Sequence, residues 1–120
     1  MSARPGLGGR REAREEALGA LYELELTGES AVEALARREV APEAYALEVI
    51  EGVCEERAVL DELLGRHLVA WTVPRLAVVD RTLARMAAWE LLRRPDVPTG
   101  VVLSELVELA TQYAGEESPR

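Results

Sequence analysis

The stretch RREAREEALGALYELEL, Arg10 to Leu26, combines a helical apolar stripe with a cluster of positive charge. On an ideal helix, one face is formed by Ala13, Ala17, Leu21 and Leu24, and Leu18 and Ala20 widen it. We expect that face to pack on a helical bundle, while Arg10, Arg11 and Arg14 point away from it. Tyr22 lies beside the stripe, where its ring can pack or stack. The stretch therefore predicts an amphipathic first helix that presents arginines.

The positive charge of this stretch contrasts with the acidity of the whole chain. Net charge is −8 over 120 residues, yet residues 1–14 contain four arginines and one glutamate. An acidic protein repels phosphate overall, which argues against general coating of nucleic acid, but a local basic arm can still bind one strand. All 14 basic residues are arginine. This preference suits contacts to phosphates and bases, although a compositional bias accounts for it more simply.

Composition bounds the class of protein. Apolar residues make up 48% and charged residues 30% of the chain, so a single folded domain is expected. No apolar run approaches the roughly 18 residues that a membrane span needs, and the N-terminus lacks the apolar core of a signal peptide. We therefore expect a cytoplasmic protein with no membrane contact. Residues 1–9, rich in Gly and Pro, are predicted to form a flexible basic arm, and residues 10–120 a single helical domain.

Metal and disulfide chemistry have little support in the sequence. Cys54 is the single cysteine and His67 the single histidine, so neither a disulfide within the chain nor a cluster of Cys and His ligands can form. Cys54 follows Ile50 and Val53 at helical spacing and is predicted to be a small core residue.

Helical periodicity and helix-end signals divide the chain into about six helices. Gly28 is a stop for the first helix, Ser30 and Glu33 have capping-box spacing, and Pro42 fits the first turn of a third helix. Gly52 within that helix predicts a close helix crossing. The predicted helices span about residues 10–27, 30–38, 42–71 with a bend or a break around residues 55–57, 72–94 and 98–115. No segment has period two, so the fold class is all-α, a compact helical bundle.

Three stretches resemble the NusB family of bacterial antitermination factors. They are RREAREEALGALYELELTGES (Arg10 to Ser30), RLAVVDRTLARMAAWELLRRPDVPTGVVLSELVELA (Arg75 to Ala110) and AGEES (Ala114 to Ser118). Together they cover about half of the chain, in the family's order and spacing. The chain departs from the family at Ser104, where asparagine is usual, and at Thr111, where lysine is usual.

The resemblance implies an RNA-binding protein that catalyses no reaction and carries no cofactor. A NusB-like protein pairs with the ribosomal protein NusE, binds the boxA element of single-stranded ribosomal RNA leaders, and acts with the RNA polymerase antitermination complex to promote rRNA transcription. RNA contacts in the family come largely from its arginine-rich first helix. The residues that the resemblance assigns to RNA are Arg10, Arg11, Arg14, Tyr22 and Glu117. Asp80 matches an acidic position at the partner surface.

The family continues beyond the position of Arg120 with a Phe-Val-Asn-Gly motif and a final helix, so relative to the family we expect this domain to be short at its C-terminus. Leu103, Val107 and Ala110 would then lose part of their cover. This predicts an exposed apolar patch, a homodimer that covers it, or substitute packing of the C-terminal residues. The missing segment also carries RNA-facing residues in the family, so weaker RNA binding is expected.

Three alternatives stay open. An enzyme has little support, because the sequence contains no glycine-rich phosphate loop and no nucleophile with a partner base. An RNA-binding module related to the N-terminal domain of rRNA cytosine methyltransferases is closer. The third alternative is a protein-interaction adaptor with incidental arginines, in which Trp71 and Trp89 are partner anchors.

Overall fold

The computed structural model describes the backbone of residues 8–67 and 76–117 and the side chains of residues 10–67 and 76–113. Six helices, and no strands, occur in this part of the chain, which confirms the all-α prediction. They are α1 (Gly8–Thr27), α2 (Ala31–Ala36), α3 (Ala44–Glu55), α4 (Arg57–His67), α5 (Val78–Arg93) and α6 (Thr99–Glu117). No helix among the described residues is long and apolar enough to cross a bilayer.

Local signals set the ends of the first two helices. Gly28 follows α1 with a φ of 75°, in the left-handed region where a glycine has no steric penalty, and its N–H bonds the Leu24 carbonyl at 2.9 Å. Ser30 Oγ accepts a bond from the Glu33 N–H at 3.1 Å, and Glu33 Oε1 accepts from the Ser30 N–H at 3.4 Å. The predicted capping box is therefore present.

Other helix ends differ from the prediction. Pro42 precedes α3, because Glu43 is the N-cap and its carboxylate accepts bonds from the N–H groups of Tyr45 and Ala46. The fifth helix was expected from residues 72–74, but Leu76 and Ala77 are not helical and α5 starts at Val78. At its other end, α6 continues to Glu117, past the expected end near residue 115. Residues 68–75, including Trp71, lie outside the described part.

Helices α3 and α5 are central. Helix α5 packs against α1, α3, α4 and α6, and α3 packs against α1, α2, α4 and α5. Their crossing is close at Gly52, where an added Cβ would lie 2.1 Å from Trp89 Nε1. This confirms the predicted close crossing. Trp89 is buried in the core, so it is not an exposed partner anchor.

The buried core takes apolar side chains from every helix except α2. Cys54, predicted to be a core residue, is half-buried and packs against the edge of the core. The exposed apolar patch expected on α6 is also present, since the side chains of Leu103 and Val107, one turn apart, are 47% and 63% exposed. Among the described side chains, four polar ones are buried as well: Arg14, Thr82, Arg85 and Glu90.

Candidate RNA-binding site at the N-terminal end of α1

Arg14 is part of the core, and the prediction that it points away from the apolar stripe was wrong. Its Nε donates to Glu90 Oε2 and its Nη2 donates to Glu90 Oε1, each at 2.8 Å, in a bidentate pair whose two side chains are both 0% exposed. Position 14 precedes Leu18 by one turn and Leu21 by two, which places it on the stripe side of α1. A fully buried guanidinium cannot contact RNA directly.

Glu90 also binds Tyr45, which no pattern in the sequence had indicated. The Tyr45 hydroxyl donates to Glu90 Oε1 at 2.8 Å, so the carboxylate accepts bonds from α1 and α3 while belonging to α5. Burial opposes the charged form of Arg14, but the hydrogen bond and the charge of Glu90 outweigh it and raise the pKa of Arg14. Burial, followed by the nearby charge of Glu90, raises the pKa of Tyr45.

Two further arginines lie over the Tyr45 ring. The guanidinium carbon of Arg10 is 4.1 Å from the ring centroid, and that of Arg94 is 4.9 Å from it. Both distances fit cation–π contact with the negative face of the ring. We call Arg10, Arg14, Tyr45, Glu90 and Arg94 the N-terminal cluster of α1.

Arg10 and Arg94 differ in how their N–H groups are used. Arg94 donates from Nε and Nη2 to Asp96 at 3.0 and 2.9 Å, and from Nη1 to Glu48. The hydrogen bond from Arg94 lowers the pKa of Asp96. Arg10, by contrast, has no ion pair within the described side chains. Among the arginines of residues 10–67 and 76–113, this is true only of Arg10 and of Arg66 on α4.

Arg11 is half-exposed and contacts α6. Its Nη1 lies 2.5 Å from Glu108 Oε1 and 3.5 Å from Glu105 Oε1. The hydrogen bond to Glu108 raises the pKa of Arg11. An RNA phosphate would therefore have to replace carboxylates at Arg11, whereas at Arg10 it would not.

Tyr22 and Asp80, two other predicted site residues, lie away from this cluster. Tyr22 is partly buried against the core, twelve residues along α1 from Arg10 and therefore about 18 Å away along the helix axis. Asp80 is half-buried in the first turn of α5, ten residues before Glu90. Glu117 lies in the last turn of α6, and its side chain is outside the described part.

A second charge cluster lies at the C-terminal end of α1. It consists of Glu25, Arg57, Asp61, Arg81 and Arg85, and we call it the C-terminal cluster. Glu25 accepts bonds from Arg81 at 2.9 Å and from Arg57 and Arg85 at 3.3 Å. Arg85 also binds Asp61 in a bidentate pair at 2.7 and 2.9 Å. Burial raises the pKa of Glu25, but the charges of Arg57, Arg81 and Arg85 outweigh burial and lower it.

Known proteins are similar to this chain in both sequence and architecture. A model of the NusB family matches residues 11–120. The chain belongs to the NusB family. Two relatives support this, and both are named transcription antitermination protein NusB. The relative from Sorangium cellulosum is 45% identical to this chain over 118 residues, which cover 93% of this chain and 84% of the relative. That of Saccharopolyspora erythraea is 40% identical over 120 residues, covering 95% and 81%.

The fold agrees with the family as well. The solved structure of NusB from T. maritima superposes with a TM-score of 0.78 at 30% identity, covering 94% of this chain and 80% of that one. The family resemblance and the all-α class predicted from the sequence are thus both confirmed.

Proposed function

We propose that this chain is a transcription antitermination factor that binds boxA-type single-stranded RNA together with the ribosomal protein NusE. In this role it acts in the cytoplasm, with the RNA polymerase antitermination complex, and promotes rRNA transcription without catalysing a reaction. Membership of the NusB family and the names of the relatives support this role.

A single structural observation supports the RNA contact, namely that the guanidinium of Arg10 makes no ion pair with the described side chains. In an acidic protein, nearly every described arginine is compensated by a carboxylate, yet Arg10 is held against Tyr45 and has no ion pair in the described part. A guanidinium with available N–H groups can bind phosphate bidentately or stack on a base. Arg10 is thus the principal RNA contact in this proposal, and Arg11 is a second one.

The other predicted site residues have different roles in this proposal. Arg14 contributes through Glu90 and the core and does not touch RNA. Tyr22, about 18 Å along α1 from Arg10, would stack on a different nucleotide of the same strand. Asp80 is proposed as a NusE contact at the opposite end of α1, and Glu117 as an RNA contact.

The test is titration of a fluorescently labelled boxA-type RNA, with and without NusE, over a range of salt concentrations. Arg10→Ala should weaken binding and flatten the slope of log K against log salt by about 0.7, the value for one phosphate contact on a single strand. Arg66→Ala is the matched control. It removes the other arginine that has no ion pair in the described part, and it changes the net charge by the same amount. Equal slopes for wild type and Arg10→Ala would reject the RNA contact and favour a protein-interaction adaptor.

Self-association is a separate prediction. The exposed Leu103 and Val107 on α6 supply an apolar surface that a homodimer could cover. Size-exclusion chromatography with light scattering measures the mass directly. A monomer that binds no hydrophobic dye would contradict both the homodimer and an accessible apolar patch.

A further inference from the structure

We propose that Tyr45 is a platform that holds Arg10 in position for RNA, and that the buried Arg14–Glu90 pair anchors this platform. The inference rests on the proposed RNA binding by Arg10 and adds three positioning residues from three different helices. None of the three needs to touch RNA.

The first step of the argument is the fixed orientation of the Tyr45 ring. Its side chain is only 6% exposed, and its hydroxyl is tied to Glu90 at 2.8 Å. A hydrogen bond to a carboxylate is stronger than one between neutral groups, particularly away from water. The ring is therefore held at both ends, by core packing and by the hydroxyl.

The second step is the role of Arg14. A buried Glu90 without a cation would be strongly unfavourable, and the bidentate bond from Arg14 compensates its charge. The pair thereby keeps a hydrogen-bond acceptor in the core next to the Tyr45 hydroxyl. Arg14 acts on RNA binding only through this acceptor.

The third step is what the platform does for Arg10. A surface arginine loses rotamer freedom when a ligand fixes it, and this loss weakens binding. The guanidinium of Arg10 already lies over the ring at 4.1 Å, so part of that ordering precedes binding. Arg94 shares the ring, but Asp96 and Glu48 occupy its donors. Arg10 is therefore the cation that the platform presents to a phosphate.

A double-mutant cycle on the full chain tests the platform, with boxA-type single-stranded RNA as the probe. The four proteins are wild type, Tyr45→Leu, Arg10→Ala and the double variant. Loss of a cation–π contact predicts binding about two- to fivefold weaker for Tyr45→Leu. In the Arg10→Ala background the same substitution should change affinity by less than about 1.5-fold, since the group that it positions is absent.

A structural role alone predicts another pattern, which the variant Tyr45→Phe distinguishes. Phenylalanine keeps the ring and loses the bond to Glu90, so it should lower the thermal midpoint while retaining more RNA affinity than Tyr45→Leu. Additive effects of Tyr45→Leu and Arg10→Ala would overturn the platform. Equal RNA affinity of Tyr45→Phe and Tyr45→Leu would overturn it too.

Two further measurements keep the inference testable if Tyr45→Leu does not fold. Arg10→Lys leaves Tyr45 unchanged but replaces a planar stacked cation with an ammonium, and it should bind RNA several-fold more weakly than wild type. Equal affinities would overturn the platform. If the wild-type protein shows no salt-dependent RNA binding, the proposed function itself is rejected. If it binds RNA through Arg10 but Tyr45 makes no difference, only the platform is rejected.

Discussion

The two ends of α1 use the same ionic groups with their roles exchanged. At the N-terminal end, α1 supplies arginines and α5 supplies the carboxylate Glu90. At the C-terminal end, α1 supplies the carboxylate Glu25, while α4 and α5 supply Arg57, Arg81 and Arg85. Because residue 14 meets residue 90 and residue 25 meets residues 81 and 85, α1 and α5 run antiparallel and are joined by ion pairs at both ends.

The ends differ in how completely the arginines are compensated. Each arginine of the C-terminal cluster binds Glu25, and Arg85 also binds Asp61. At the N-terminal end, Arg14 makes an ion pair with Glu90, whereas Arg10 makes none with the described side chains and only a longer-range interaction with Asp96. The comparison teaches that a cluster of arginines does not by itself indicate an anion site. The decisive feature is a positioned arginine that makes no direct ion pair with any described carboxylate.

The largest predicted effect is on stability, and it separates two arginines one turn apart. Arg14→Ala leaves Glu90 buried without a cation, so we expect it to lower the free energy of unfolding by about 3–5 kcal/mol. Arg10→Ala removes a partly exposed contact and should cost about 1 kcal/mol or less. Urea unfolding followed by circular dichroism measures both. Similar losses for the two variants would contradict the distinction between a structural and a ligand-binding arginine.

The second prediction concerns the crossing of α3 and α5, which brings Tyr45 and Glu90 together. An alanine at Gly52 would place its Cβ 2.1 Å from Trp89 Nε1, so we expect a loss of about 1–3 kcal/mol despite the better helix propensity of alanine.

Gly65→Ala on α4 is the matched control, because nothing lies within 4 Å of an added Cβ there. It should stabilise the protein by about 0.5–1 kcal/mol. A Gly52→Ala protein as stable as wild type would show that the crossing can relax, and the Tyr45–Glu90 bond would then not depend on it.

The sequence predicted those features whose signals are local. Gly28 and the Ser30–Glu33 capping box depend on neighbours along the chain, and the stripe of α1 needs only helical spacing. Gly52 was predictable because a glycine inside an apolar helix lowers helix propensity, and the close approach of a neighbouring helix offsets that cost. The position of Pro42 was misjudged, since the Glu43 carboxylate caps α3 and excludes the proline from its first turn.

The site could be predicted only in part. Arg14 was assigned to solvent because it is charged, although its position lies on the apolar stripe. The carboxylate that compensates its charge in the core, Glu90, is 76 residues away in sequence, so no local pattern pointed to it. A signal was present in Glu90 itself, an acid that follows Leu83 by seven residues and Met86 by four and so lies on the apolar stripe of α5. Tyr45 and Arg94 were missed because Arg10 and Arg94 meet at the Tyr45 ring from two separate parts of the chain, α1 and the α5–α6 turn, and no local pattern encodes such a meeting.

The third prediction tests the C-terminal cluster through pH. The pKa of Glu25 is lower in the folded protein than its ordinary value of about 4.3, so the contribution of Glu25 is fully present above that value and is lost as pH falls through the folded pKa. Glu25→Gln should therefore destabilise the protein at pH 7 and show a smaller further loss between about pH 4.5 and pH 3 than wild type. Parallel stability curves for the two proteins would show that Glu25 does not contribute to acid sensitivity.

The smallest predicted effect comes from removing one of the two carboxylate partners of Arg11 at the N-terminal end of α1. Glu108→Gln removes the carboxylate charge nearest to Arg11 and leaves Glu105 at 3.5 Å as the remaining partner. Because an exposed ion pair contributes little stability, the free energy of unfolding should change by about 1 kcal/mol or less. RNA affinity should rise about twofold, with a steeper salt dependence, because phosphate no longer competes with Glu108. Glu62→Gln, an exposed change on α4 that removes the same charge, controls for the net charge of the protein. An equal rise in both variants would assign the gain to overall charge and not to the release of Arg11.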